Sequence, residues 1–170
     1  MKVWFSLLSF FFFTTLSFAQ VNWMSWEEAI EAQKKAPRKI MVDIYTVWCG
    51  PCKMMDRNTF SNPQVAKILN TYFYPVKLDA ESREDIVYNN HTFTWQPGGR
   101  NGIHTLAYSL CDGKLSFPTM IFLDEAVSII SRVPGYHNPN DFVPILEFHA
   151  KEHYKRTSWE AYSNSLKTGN

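Results

Sequence analysis

Lys39 to Thr46 is a nearly continuous apolar run with β-branched and aromatic members, the pattern of a strand buried on both faces. Upstream, Ser25-Trp26-Glu27-Glu28 opens a helix: Ser25 caps it, Glu28 completes a capping box, and Pro37 stops it after about Lys35. Beyond Trp48 the spacing turns helical from Cys49 or Gly50 to about Thr59. Ser61-Asn62-Pro63 then caps a further helix over Gln64–Leu69, and Tyr72 to Leu78 reads as a second buried strand. Thr119–Leu123 and Val127–Val133 are predicted strands separated by a turn at Asp124-Glu125. Pro139-Asn140-Asp141 starts a helix that runs to about Tyr154. The expected order is α, β, α, β, insert, β, β, α.

The insert, about residues 81–116, is less regular. Asp85–Tyr88 and His91–Trp95 are short strands joined by Asn89-Asn90, residues that tolerate the positive φ of a tight hairpin. Gln96–Gly102 is a loop. Ile103, Leu106, Ala107 and Leu110 follow helical spacing, with Asp112-Gly113 as a stop signal. The tail, 155–170, is polar and carries one weak helix around Trp159–Tyr162.

The N-terminus bears on compartment. Met1-Lys2 supplies a positive charge, an apolar run extends from Val3 to about Phe13, and Ser17 and Ala19 stand where a signal-peptide cleavage site wants small residues. The run is shorter than the roughly 20 apolar residues of a spanning helix. Cleavage after Ala19 is therefore expected, with an uncleaved anchor as the alternative. It divides the chain into a signal peptide, 1–19, and one domain, 20–170, left without a membrane anchor. The whole chain has 17 basic and 16 acidic residues, and loss of Lys2 balances them. A neutral, aromatic-rich domain has no electrostatic reason to seek nucleic acid or an anionic membrane.

Three cysteines are an odd number for an exported protein. Cys49 and Cys52 are so close that a bond between them closes almost no loop, so stapling is a poor account of the pair. A cysteine at a helix N-terminus meets unpaired backbone N–H groups and the positive end of the helix dipole, which favour thiolate and make a nucleophile. Cys49 directly follows a strand and is placed there. Cys52, one turn further in, can attack a mixed disulfide formed at Cys49. Gly50 admits close approach of the sulfurs, and Pro51 sits where its missing N–H costs nothing. A zinc site would need further Cys or His ligands at suitable spacing, and the sequence offers none; no metal and no cofactor is expected.

Val42-Asp43-Ile44-Tyr45 followed by Trp48-Cys49-Gly50-Pro51-Cys52-Lys53 resembles the active-site region of the thioredoxin-like family. The longer run from Tyr45 to Val65 is similar to the C-terminal domain of the disulfide interchange protein DsbD and to related exported bacterial thioredoxin-like proteins. The likeness covers about 23–80 and 115–150. It implies an α/β thioredoxin fold: a central mixed sheet flanked by helices, with the hairpin, loop and helix insert before a cis-proline strand. It also implies a periplasmic or secreted setting.

The resemblance puts Asp43 behind Cys52 as a buried carboxyl. An acid inside an apolar strand has its pKa raised by desolvation and can take the Cys52 proton; the alternative is an aspartate bonded to backbone amides. Phe117-Pro118-Thr119 matches the family's cis-proline loop, which lies against the cysteines and lends backbone groups to an extended peptide. Trp48, Gly50 and Pro51 support the site. Tyr45 replaces a tryptophan common in thioredoxins, and the longer insert is either a substrate-selecting surface or decoration.

Other signals are blander. His149-Ala150-Lys151-Glu152-His153 fits a zinc-protease pattern, but its face also carries Phe142 and Leu146, so core or surface histidines are expected. Cys111 reads as a small buried hydrophobe rather than a third redox thiol. Tyr88, Phe93 and Trp95 pack the hairpin or form a peptide patch. The expected function is protein-disulfide reduction through the redox disulfide Cys49–Cys52, acting on protein disulfide substrates and recharged by a membrane thiol reductant. An oxidase or isomerase, or a non-catalytic binding module, is the alternative.

Overall fold

The computed structural model describes residues 20–168. The predicted cleavage site after Ala19 lies at the border of the undescribed residues, and the signal segment lies outside the described ones.

Helix α1 (Trp26–Lys35) starts on the expected capping box, with Ser25 and Glu28 exchanging side-chain-to-backbone bonds. Strand β1 (Lys39–Tyr45) follows, then α2 (Gly50–Met55). The chain does not stay α-helical to Thr59: Asp56–Phe60 winds wider, as a π-type turn. This turn buries Thr59, whose Oγ1 donates to the His137 carbonyl at 2.6 Å, and Phe60, which meets Trp23 and Phe142 edge-on. Helix α3 (Pro63–Tyr72), capped by Asn62, runs longer than expected and takes Tyr72 from strand β2 (Phe73–Asp79).

In the insert, β3 (Ile86–Tyr88) and β4 (His91–Phe93) form the expected hairpin, with Asn89 and Asn90 at φ 50° and 58°. Trp95 is not part of it. Trp95–Gln96 (β5) pairs instead with Ile103–His104 (β6), so Ile103 lies in a strand rather than a helix. His104 then caps α4 (Thr105–Leu110). Strand β7 is Thr119–Leu123, and β8 is Ile129–Pro134. Val127 sits at φ 60° in the turn, which moves the strand start two residues on. Helix α5 (Pro139–Ala150) ends before Tyr154, because Glu152 turns left-handed, and the tail forms a full helix α6 (Trp159–Thr168).

The central sheet has the order β2-β1-β7-β8, with β1 and β2 parallel and the other pairings antiparallel. Because strand side chains alternate, β1 feeds two cores. Ile40, Val42 and Ile44 pack with α1 and α4, where Trp26, Ala29, Leu106 and Leu110 are buried. Met41 packs on the opposite face with Met55, Leu69, Phe142 and Leu146. Asp43 is in step with Met41 and so lies on the face covered by α2, α3 and α5. Met24 bridges to Val76 and covers part of the outer edge of β2.

Candidate functional site

The end of β1 and the start of β7 are adjacent, with Ile44 opposite Thr119. That register brings the Thr46–Cys49 corner and the Phe117-Pro118 loop to one end of the sheet. At the corner the Cys49 N–H donates to the Thr46 carbonyl at 3.1 Å, and Cys49 becomes the N-cap of α2. Its Sγ accepts from the Cys52 N–H at 3.1 Å, with Pro51 in the first turn. Cys49 and Cys52 are bonded to each other, and each is only 3% exposed.

Trp48, the residue before Cys49, meets Phe117 edge to face with centroids 6.1 Å apart. The Phe117–Pro118 peptide is cis. The Pro118 carbonyl accepts from the Gly135 N–H at 2.8 Å, and Thr119 Oγ1 donates to the Ser116 carbonyl at 2.6 Å. The loop is thus tied down on both sides of the proline.

Asp43 is buried, and burial pushes its carboxyl up to about 6 although Lys77 pulls the other way. Lys77 stands opposite Asp43 in the β1–β2 register and sets its Nζ 3.1 Å from Oδ2. Asp43 Oδ1 has no hydrogen-bond partner among the described residues, so its partner is an ammonium, not the backbone amides of the alternative reading. Lys77 also pairs with Asp56, and its Nζ lies 4.9–5.5 Å from the rings of Tyr45, Trp23 and Phe60. Burial works to lower the Lys77 pKa, but Asp43 and Asp56 outweigh it and hold the ammonium above its ordinary range. Trp23, Tyr45, Asp56, Phe60 and Lys77 line an open cleft of about 680 Å³, and Lys77 stands between that cleft and the buried Asp43.

Sequence reasoning missed Lys77 and Glu81. A lysine amid the apolar run Tyr74–Leu78 was the available signal, but its pairing depends on the parallel register. Glu81 Oε1 accepts from Trp48 Nε1 at 2.8 Å, a contact with no local sequence signature.

The remaining cysteine and the histidine pair stand apart. Cys111 is buried and burial raises its thiol to about 11. His149 stacks on Phe122 at 3.8 Å, and its ring nitrogens meet Ser131 Oγ and the Ile145 carbonyl; burial lowers it to about 4. His153 lies beyond the helix end and stacks on Tyr162, so the two histidines do not share one helix face. Among the described residues no group of three or more His, Cys, Asp or Glu side chains is placed to hold a metal. Tyr88 joins the core edge-on to Trp26, with Phe93 packed beside it.

A family model named for a thioredoxin-like DsbH, and described as a protein of unknown function, DUF255, matches residues 10–130. A Caenorhabditis elegans protein, "Uncharacterized protein B0495.5", is 26% identical over 148 residues, 86% of this chain and 18% of that protein. The thiol:disulfide interchange protein DsbD of Escherichia coli K12 is 34% identical over 80 residues, 46% of this chain and 14% of DsbD. The chain therefore spans less than a fifth of either relative. Among solved structures, a DsbH oxidoreductase superposes with a TM-score of 0.55 at 19% identity, covering 78% of this chain and 86% of that one. A thioredoxin-fold protein from Helicobacter pylori gives 0.58 at 15% identity, covering 89% and 88%. The architecture they share with this chain is the thioredoxin fold.

Proposed function

Because the chain belongs to the thioredoxin-like DUF255 family, we propose that it is a thiol–disulfide oxidoreductase that reduces protein disulfides outside the cytoplasm. The observation that carries this reading is the Cys49–Cys52 disulfide at the N-terminus of α2, with Cys49 Sγ accepting the Cys52 amide. In the reduced protein the same amide and the helix dipole favour the Cys49 thiolate.

The bonded pair is the oxidised end of the cycle. Starting from the dithiol, the Cys49 thiolate attacks one sulfur of a substrate disulfide. The substrate S–S bond breaks, a Cys49–substrate mixed disulfide forms, and one substrate thiolate leaves. Asp43 accepts the Cys52 proton, and the Cys52 thiolate attacks Cys49 Sγ. This re-forms Cys49–Cys52 and releases the second substrate thiol, two electrons having passed to the substrate. Asp43, with a carboxyl near 6, suits proton exchange near neutrality, and the Lys77 ammonium beside it favours its carboxylate form. Since each cysteine is only 3% exposed, exchange calls for a docked partner. Trp48 and Phe117 offer the docking surface beside the sulfurs, and Pro118 withholds a competing N–H.

Recharging needs a dithiol donor. The likeness to DsbD over 80 residues supports a membrane thiol reductant in that role. The Ser17 and Ala19 pattern supports export with cleavage after Ala19. Gly50-Pro51 between the cysteines supports reduction over oxidation or isomerisation.

The decisive experiment replaces Cys52 with serine in the full chain expressed in a bacterial host with an oxidising periplasm. Mixed disulfides through Cys49 are expected to accumulate, and to vanish when Cys49 is also serine. Their absence would leave a binding module with a locked disulfide. Equilibration against glutathione buffers reads the direction: a potential near the roughly −270 mV of reducing couples is expected, and one near −120 mV would reverse the assignment.

A further inference from the structure

The loop Gln96–Gly102 is built rather than loose. The Gly102 N–H donates to the Gly98 carbonyl at 2.7 Å, and Trp95 Nε1 donates to the Asn101 carbonyl at 3.1 Å. Gly102 has φ +76°, and a Cβ there would fall 2.2 Å from the Trp95 ring, so the loop closes directly on that ring. It then reaches the redox site. Asn101 Nδ2 lies 3.1 Å from both carboxylate oxygens of Glu81, and Glu81 holds Trp48, the residue before Cys49. Asn101 of the loop is thereby linked through Glu81 to the Trp48 side chain, and Trp48 precedes Cys49 in the chain.

Between the loop and Glu81 lies an open cleft of about 560 Å³, lined by Glu81, Arg83, Trp95, Arg100 and Asn101 among others. Its one carboxylate is engaged, accepting from Trp48 and Asn101. Its two guanidiniums are not: among the described residues neither Arg83 nor Arg100 has a salt-bridge partner. Arg83 is stacked on Trp95, 4.3 Å from the ring centroid. Stacking orients the guanidinium and leaves its N–H edge for an acceptor, the geometry suited to a carboxylate.

We propose that this cleft is a substrate subsite beside Cys49–Cys52, taking a carboxylate side chain close to the reactive cysteine of an extended protein substrate. Glu81 is the positioning residue that couples the two, since it is held by the loop and in turn holds Trp48. The inference rests on the oxidoreductase reading for its substrate, but the recognition it describes is separable from the chemistry. Glu81 also lines the cleft, its oxygens held by Trp48 and Asn101 and not paired with either guanidinium.

The test uses the oxidised full chain and two synthetic peptides, identical except for Glu or Gln two residues from a cysteine replaced by serine. Such peptides bind without exchanging thiols. Titration calorimetry at low salt is expected to show the Glu peptide binding about tenfold tighter, a preference shrinking with added salt. The double variant Arg83→Gln, Arg100→Gln is expected to lose the preference while keeping the thermal midpoint of the parent. Equal affinity for the two peptides, no binding of either at millimolar concentration, or a preference that survives the double variant overturns the subsite. A clear Glu preference in a protein whose Cys52→Ser form traps no mixed disulfide would instead sink the oxidoreductase reading and leave the subsite standing.

Discussion

Lys77 faces Asp43 across the parallel β1–β2 pair and sets its ammonium 3.1 Å from a carboxylate oxygen sealed inside the sheet. The lysine joins the buried carboxylate to the cleft lined by Trp23, Tyr45 and Phe60, because it also pairs with Asp56 there. Charge, aromatic faces and register together make a titrating pair out of two residues 34 positions apart in the chain.

Asp43→Asn is expected to stabilise the oxidised protein at pH 7 while slowing exchange. An acid whose folded pKa is raised, here to about 6 by burial, binds its proton more tightly in the native state. Its favourable contribution is complete below the unfolded value near about 3.9 and is lost as pH rises through 6. Denaturant unfolding should show the variant more stable by on the order of 2 kcal/mol at pH 7, with the gap closing at pH 4. A gap that does not depend on pH would contradict the assigned titration.

Lys77→Met removes the charge that pulls the Asp43 pKa down. The pH midpoint of the resolving step, followed by stopped-flow after mixing the reduced protein with a disulfide peptide, should move up by about one unit. An unmoved midpoint would mean that another group limits the step.

Cys111 should behave as packing. Burial holds its thiol up at about 11, so alkylation of the reduced native protein at pH 8 should modify Cys49 first, as the favoured thiolate, and leave Cys111 until denaturant is added. Peptide mapping of the alkylated chain reads this directly, and early label on Cys111 would return it to the list of redox thiols.

Gly102→Ala drives a methyl group into the Trp95 ring at a left-handed φ. A loss of about 1–3 kcal/mol is expected, measured by chemical unfolding. Because the loop holds Glu81, and Glu81 holds Trp48, the Trp48 contribution to emission should change as well, read as the difference from a Trp48→Phe background.

Local signals in the sequence had physical causes that tertiary structure did not overrule. Ser25 and Glu28 cap α1 because their side chains reach only their own backbone neighbours. Asn89-Asn90 turn the β3–β4 hairpin because both adopt positive φ. The apolar run of β1 is buried on both faces because alternate residues feed two cores. Where a boundary moved, a long-range contact decided it. Asp56–Phe60 widens to bury Phe60 against Trp23 and Phe142, and Trp95 leaves the hairpin to pair with His104.

The opposition of Cys49 and Cys52 at a helix start, three residues apart after a buried strand, was determined by the sequence alone, since spacing and helix geometry are local. Which groups surround that pair was decided by the fold. The β1–β7 register brings Phe117 to Trp48, the β1–β2 register pairs Lys77 with Asp43, and the closure of Gly102 on Trp95 carries Asn101 to Glu81. Each of these depends on strand register or loop closure between distant segments, and no periodicity within a segment encodes it.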